Sequence, residues 1–238
     1  MTKRLRDIGG LVLFYAVIVV GVLLLNLRFA KINEILTKNG FPERFNFLTN
    51  HSISVKVKNQ GSCKCGWALS AATALSYRFN LKYPNIDLSS QYSISCYLPD
   101  CKGGNNLIDP QLNLIKNGTV TEECLPYSSG SGTITDTCPE KCKDGTNLTK
   151  YYSQNAYLTE GLIKDMDSYY NIVTLIIDQL ITKGPVVTNI DVYTDFLEFT
   201  QNGYKCKNDA YAPSSSAENK KEAHAMVIVG YGFLEKKN

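Results

Sequence analysis

The segment NQGSCKCGWALSAA, residues 59 to 72, sets a glutamine and two cysteines just ahead of a run of small and apolar residues. Far along the chain, His224 opens a second apolar run, HAMVIVGYG. Gln60, Cys65 and His224 are the residue types that thiol nucleophile chemistry needs. A cysteine at a helix N-terminus has its thiolate favoured by the macrodipole and by a nearby imidazole. A histidine then moves the proton, another group orients the histidine, and an amide donor steadies the oxyanion. Each of the three also has a plain structural reading. Cys65 serves equally as an inert thiol or as a partner for Cys206, His224 as a strand histidine, and Gln60 as a hydrogen-bonded turn residue.

The surrounding patterns say what must position these groups. Residues 67 to 83, WALSAATALSYRFNLKY, are apolar around most of a helical circumference, the mark of a buried helix, and Pro84 follows as a stop. DPQLNLIKNG, from Asp109, has an acidic N-cap, proline at the first helical position and a terminal glycine. Residues 128 to 149 are rich in Ser, Gly, Thr, Cys and Asp and read as a disulfide-held loop. SYYNIVTLIIDQLITKGP, from Ser168, reads as a helix closed by Gly184 and Pro185. VVTNIDVY (186 to 193) and HAMVIVGYG (224 to 232) have the composition of strands. The fold class is therefore α+β with two sub-domains, a helical cysteine-rich half and a β-rich half, and a cleft between such halves is a usual place for a site.

The chain begins differently. Residues 8 to 27, IGGLVLFYAVIVVGVLLLNL, carry no charge over 20 positions. As a helix rising about 1.5 Å per residue they span the roughly 30 Å core of a bilayer. A cleaved signal peptide is the competing reading, but the run exceeds a signal core, and Arg28 and Phe29 intervene before the small residue Ala30. The expected organisation is a basic flank (1–7), a transmembrane anchor (8–27), an amphipathic stalk (28–40) and a folded domain (41–238). Residues 1 to 40 hold six Lys or Arg against two acidic residues, so the net charge of +3 belongs to the membrane flanks. No basic stripe with interleaved aromatics points to nucleic acid. Positive charges on the two sides of the apolar run tie, so they do not orient it. All eight cysteines lie after residue 60, with sequons at Asn50, Asn117 and Asn147, which places the domain in an oxidising lumen or at the cell exterior. No metal or organic cofactor is indicated, since the two histidines are not placed as zinc ligands.

With these motifs assembled, the chain resembles the papain family of cysteine proteases. VKNQGSC followed by Trp67 and Ser70 is similar to its nucleophile segment, CKGG (101 to 104) to its C-N-G-G, and HAMVIVGYG to its histidine strand. GPVVTNIDVYTDFLEFTQNGY (184 to 204), CLPY at Cys124 and CPEKC at Cys138 resemble the cathepsin B branch. The resemblance covers residues 40 to 232. It implies that Gln60 is the oxyanion-hole glutamine, Trp67 the helix tryptophan, Gly103 and Gly104 the glycines that let a substrate backbone approach, and His224 the catalytic base. It also implies the disulfides Cys63–Cys101, Cys96–Cys138 and Cys124–Cys142, leaving Cys65 and Cys206.

The catalytic cysteine of the family falls on Gly66, with Cys65 one residue early. One residue moves a Cα by about 3.8 Å and turns a helical side chain by roughly 100°, whereas a misplacement of about 1 Å already costs on the order of a hundredfold in rate. The family's Asn-Ser-Trp segment, its inhibitory propeptide and the paired histidines of the cathepsin B occluding loop are also not expected here, so the β half reads as C-terminally truncated. The expected function is a membrane-anchored, catalytically inactive papain-like domain that binds an extended peptide or protein, or serves as a structural subunit of a membrane assembly. In the second role, a partner strand would complete an open sheet edge. The alternative is an active cysteine endopeptidase using Cys65 and His224.

Overall fold

The computed structural model describes residues 27–28, 30–54, 56–103, 108–134, 136–156, 163–196, 211 and 220–232. The chain forms two compact units, Met1–Glu43 and Arg44–Asn238. In the first, residues 30–38 are helical (α1), with Lys31 and Glu34 paired across one turn at 3.1 Å. The apolar run expected to span a membrane lies, apart from Leu27, outside the described residues. Among the described residues no helix is long and apolar enough to cross a bilayer.

The second unit is built on one central helix. After β1 (Phe45–Asn46) and the short α2 (Phe47–Asn50), the chain runs through an extended loop into α3 (Gly66–Asn80). Alanine and leucine give α3 high helical propensity, and ten of its fifteen residues are buried. A helix buried on nearly all sides must have neighbours on all sides. α3 contacts α4 (Ser90–Cys96) and α5 (Ile108–Lys116) in the helical half, and β2 (Val186–Tyr193) and β3 (Lys220–Ile228) in the β half. It ends at Asn80, three residues before the Tyr83 expected from sequence. The Asn80 side chain donates to the Ser76 and Ile86 carbonyls, both at 2.7 Å, and so turns the chain before Pro84 is reached.

Three disulfides tie the helical half: Cys63–Cys101, Cys96–Cys138 and Cys124–Cys142. They are the pairs that the resemblance implies, and bridges of this kind stabilise by about 2–4 kcal/mol each. Ser89 caps α4, its hydroxyl accepting from the Tyr92 amide and donating to the Leu125 carbonyl at 2.6 Å. α5 begins at Ile108, so Asp109 lies within its first turn rather than capping it.

In the β half, α6 (Met166–Thr182) starts two residues before Ser168, because Asp165 and Ser168 form a reciprocal capping box. Its end is fixed by Gly184, whose amide reaches back to the Gln179 carbonyl at 2.8 Å with φ of +113°. β2 and β3 pair antiparallel from Val186 opposite Ile228 to Tyr193 opposite Lys220, with an irregularity between Val192 and Tyr193. β3 therefore starts four residues earlier than the sequence pattern suggests. The hydrophilic residues Lys220–Glu222 pair because β2 offers them a ladder, and His224 sits within the strand, opposite Ile190, rather than at its start. β4 (Gly230–Tyr231) returns to pair with β1, Phe45 opposite Tyr231.

Candidate functional site

The loop before α3 is held at several points. Lys58, largely buried, bonds to Asp87 at 2.9 Å, to Glu122 at 3.0 Å and to the Leu88 carbonyl at 2.8 Å. The next turn carries Gly61 at φ +60° against the Gly130 carbonyl, too close for any Cβ, while the Ser62 amide bonds that same carbonyl at 2.9 Å. Between these fixed points lies Gln60, whose own carbonyl accepts from the Tyr127 hydroxyl at 2.7 Å. The Gln60 side chain is thereby delivered to the start of α3.

At that start stands Gly66, the first residue of α3. A Cβ at Gly66 would lie 3.2 Å from Gln60 Oε1, 3.4 Å from His224 Cε1 and 3.6 Å from His224 Nδ1. Gln60 and His224, distant in sequence, thus converge on a residue that has no side chain. The strand register of β3 and the packing of α3 on β3 bring His224 there. The Gln60 amide oxygen and the Cε1–Nδ1 edge of the His224 ring are the atoms nearest that point.

Cys65 does not join them. It is fully buried in the cluster of Cys63, Trp67, Ala68, Leu69 and Ile94. Its Sγ lies 3.0 Å from the Tyr127 hydroxyl. Because that hydroxyl gives its single proton to the Gln60 carbonyl, the thiol must be the donor to Tyr127, in a chain S–H···O–H···O=C. A thiol that donates is protonated. Burial pushes the Cys65 thiol above its ordinary range, more than the Tyr127 bond pulls it down. Burial likewise raises the Tyr127 phenol, with the Cys65 contact adding to the effect. These are the conditions of an inert cysteine, opposite to those that make a nucleophile.

Gly103 lies beside Lys64, its would-be Cβ 3.6 Å from Lys64 Cβ, with φ of +108° that only glycine adopts without strain. The adjoining Cys63–Cys101 bridge and the bond from the Lys64 amide to the Cys101 carbonyl at 3.1 Å hold this strip next to the start of α3. Gly104 and Cys206 lie outside the described residues. Trp67 is buried edge-on to Tyr97 at 6.2 Å between ring centroids, which makes it a packing residue. The sequon residues Asn50, Asn117 and Asn147 are all exposed. Among the described residues no group of His, Cys, Asp and Glu is arranged to hold a metal. Sequence reasoning missed Tyr127. Its signal was the CLPY motif, noted as a branch marker without a role.

Comparison with known proteins agrees with this architecture. The papain family cysteine protease model matches residues 41–238. The chain is 32% identical over 197 residues to cathepsin B-like CP3 of Giardia intestinalis, covering 80% of this chain and 60% of that protein. It is 31% identical over 201 residues to cathepsin B-like CP2 of the same organism, covering 82% and 61%. The fold is similar to that of procathepsin B S9 from Trypanosoma congolense, with a TM-score of 0.64 at 24% identity, over 81% of this chain and 63% of that one. The chain thus spans about three fifths of the length of the relatives it matches. Three disulfides in a fold of this kind indicate an oxidising, secretory-type compartment. By its fold, its disulfides and its match over residues 41–238, the chain belongs to the papain family of cysteine proteases, with cathepsin B-like relatives.

Proposed function

We propose that this chain is a non-hydrolytic papain-family domain that binds an extended peptide in the cleft its relatives would use for catalysis. The observation that carries the reading is Gly66: the residue on which Gln60 and His224 both converge has no side chain to act as nucleophile. The neighbouring thiol supports it from the other direction, since Cys65 is enclosed, protonated and bonded to Tyr127. For Cys65 to act on a substrate, the first turn of α3 would have to rotate by roughly 100° and expel the thiol from its core cluster. Binding needs none of this. Half-buried Gly103, with no side chain beside Lys64, supports an extended chain pairing with the backbone there.

In this proposal the domain of residues 41–238 is carried on a membrane anchor at 8–27 through a short stalk. It faces the lumen or exterior, with glycans on Asn50, Asn117 and Asn147, and its partner is a protein or an extended peptide. The test is labelling with a peptidyl epoxide directed at cysteine-protease thiols, with adducts mapped by mass spectrometry, alongside a peptide hydrolysis assay. The expected result is no adduct at Cys65 and no turnover. Labelling of Cys65 that disappears in His224→Ala, or His224-dependent hydrolysis, would establish the endopeptidase instead.

A further inference from the structure

We infer that the glycan carried at Asn50 folds back into the open groove beside β1 and β4 and lays its innermost sugars against Phe45 and Tyr231. This rests on the reading above that Asn50 is glycosylated. The groove has a volume of about 490 Å³ and is lined by residues of β1, α2 and β4, and Asn50 itself stands in its wall with Phe45, Asn46, Thr49 and Tyr231. Sites that take a small organic ligand are of this size, roughly 300–1,000 Å³.

The sequon is held in place by its own turn. Asn50 ends α2, and the next residue, His51, packs on Phe47 and Phe45 with ring centroids 4.6 Å and 6.5 Å away. Ser52 then turns back at φ +53°, and the Ile53 amide bonds the Leu48 carbonyl at 2.8 Å. Glycosylation joins Asn50 Nδ2 to the anomeric carbon of a sugar-diphosphate donor; the diphosphate leaves and one amide proton is lost. The first sugar therefore begins at the groove. A ligand on so short a tether is presented at an effective concentration on the order of millimolar, so contacts too weak to hold a free sugar suffice.

The wall has the chemistry a sugar ring needs. Phe45 and Tyr231, partners across β1 and β4, have ring centroids 6.3 Å apart and planes 29° from parallel. The negative faces of such rings attract the polarised C–H groups of a sugar. Asn46 commits its side-chain oxygen to the Leu48 and Thr49 amides at 3.0 Å and 3.2 Å, and its NH2 is a donor for sugar hydroxyls. β1 and β4 have two residues each, and a strand pair that short is marginal without cover. A protein strand laid along this pair would have to pass the glycan at Asn50, so the tethered sugar is the occupant.

The experiment expresses the full chain through a secretory pathway and follows release of each glycan from the native protein by peptide-N-glycosidase, which must reach the innermost sugar, with sites resolved by mass spectrometry. Release at Asn50 is expected to be about tenfold slower than at Asn117 and Asn147, the effect of a sugar docked roughly nine-tenths of the time, and equal to theirs after denaturation. Tyr231→Phe should keep the slow release, since the ring remains, and Tyr231→Ala should raise it to the rate at the other two sites. Hydrogen exchange reads the same contact without that variant: in Asn50→Gln the amides of Phe45, Asn46, Gly230 and Tyr231 should exchange about tenfold faster than in the wild type, and in Asn147→Gln they should not change. Release at Asn50 as fast as elsewhere, slow release that persists in a folded Tyr231→Ala, or exchange unaltered in Asn50→Gln would each overturn the docked glycan and leave the glycosylation in place. A bare Asn50 in a chain modified at Asn117 and Asn147 would overturn the inference and the Asn50 assignment alone. A chain bare at all three sites would overturn the glycoprotein reading together with it.

Discussion

Tyr127 Oη lies 3.0 Å from Cys65 Sγ and donates its proton to the Gln60 carbonyl at 2.7 Å, so one phenol holds both the thiol and the glutamine loop. Two residues that sequence alone groups as reaction partners are thus joined through the core, the cysteine by its own sulfur and the glutamine by its backbone carbonyl. The cysteine side chain and the Gln60 backbone are fixed by Tyr127, and the Gln60 amide is left to face Gly66.

Removing that phenol isolates its contribution. Tyr127→Phe keeps the ring and deletes the hydroxyl, leaving the Gln60 carbonyl and the Cys65 thiol each short of a partner. A loss of about 1–3 kcal/mol in folding stability is expected, measured as a shift in the denaturant midpoint. Cys65→Ala in the Tyr127→Phe background should then cost less than in the wild type, since the hydrogen bond is already gone. Full additivity of the two substitutions would show that the contact carries no energy.

The same thiol makes a pH-dependent contribution. Burial raises the folded pKa of Cys65 above its unfolded value of about 8.5. Below the unfolded value both states hold the proton and the contribution is fully present. As pH rises beyond it, the unfolded state loses its proton first, so stability falls until the folded thiol also ionises. The stability difference between wild type and Cys65→Ala should therefore shift against the wild type between about pH 8.5 and pH 10. A difference that stays flat over that range would mean the thiol is already ionised or solvated in the fold.

Most of the scaffold was legible because it is written in local chemistry. The run of Ala and Leu after Trp67 marks a buried helix wherever it occurs, and Gly184–Pro185 marks a stop. The ends of elements were less legible, since they depend on partners far away in sequence. Lys220–Glu222 form strand only because β2 presents a ladder to them, and Asn80 ends α3 through a bond to Ile86. At the site, the convergence of Gln60 and His224 on Gly66 followed from the family resemblance. The direction of the Cys65 side chain did not, because spacing fixes where a residue stands along a helix and not which neighbours enclose it.

Gly184 joins the end of α6 to the core. Its φ of +113° excludes a strain-free L side chain, and a Cβ there would come within 2.9 Å of Arg78 Cγ and 3.2 Å of Phe47 Cζ. Arg78 in turn bonds the carbonyls of Gly184 at 3.3 Å and Pro185 at 3.0 Å. Gly184→Ala should lower stability by about 1–3 kcal/mol. A melting temperature unchanged from wild type would mean that the turn relaxes freely.

Exposure of all three sequon asparagines gives the localisation reading a direct test. Expressed through a secretory pathway, the wild type should lose mass on enzymatic deglycosylation, and Asn50→Gln, Asn117→Gln and Asn147→Gln should each remove one glycan's worth. Asn117 is the informative site, because its amide also donates to Asn113 Oδ1 at 2.7 Å at the end of α5, a bond that the one proton left on a glycosylated nitrogen has to keep. An unmodified chain from such a host would overturn the proposal that these asparagines carry glycans.

The sharpest prediction concerns Gly66→Cys. The substitution puts a thiol at the N-terminus of the 15-residue helix α3, with its Cβ 3.4 Å from the His224 ring and 3.2 Å from the Gln60 amide oxygen. The helix dipole and the imidazole both favour a thiolate there, whereas Cys65, the N-cap of the same helix, has its thiol enclosed in the core and bonded to Tyr127. A peptidyl epoxide should label position 66 on the order of a hundredfold faster than any thiol of the wild type, since orientation at the cleft is now supplied. Adding His224→Ala should return the rate to that of an ordinary exposed cysteine. Alkylation is the right readout, because turnover also needs a group to orient His224, and among the described residues none bonds to its ring. Should Gly66→Cys stay unlabelled in a folded protein, the cleft is closed, and the binding reading falls with it.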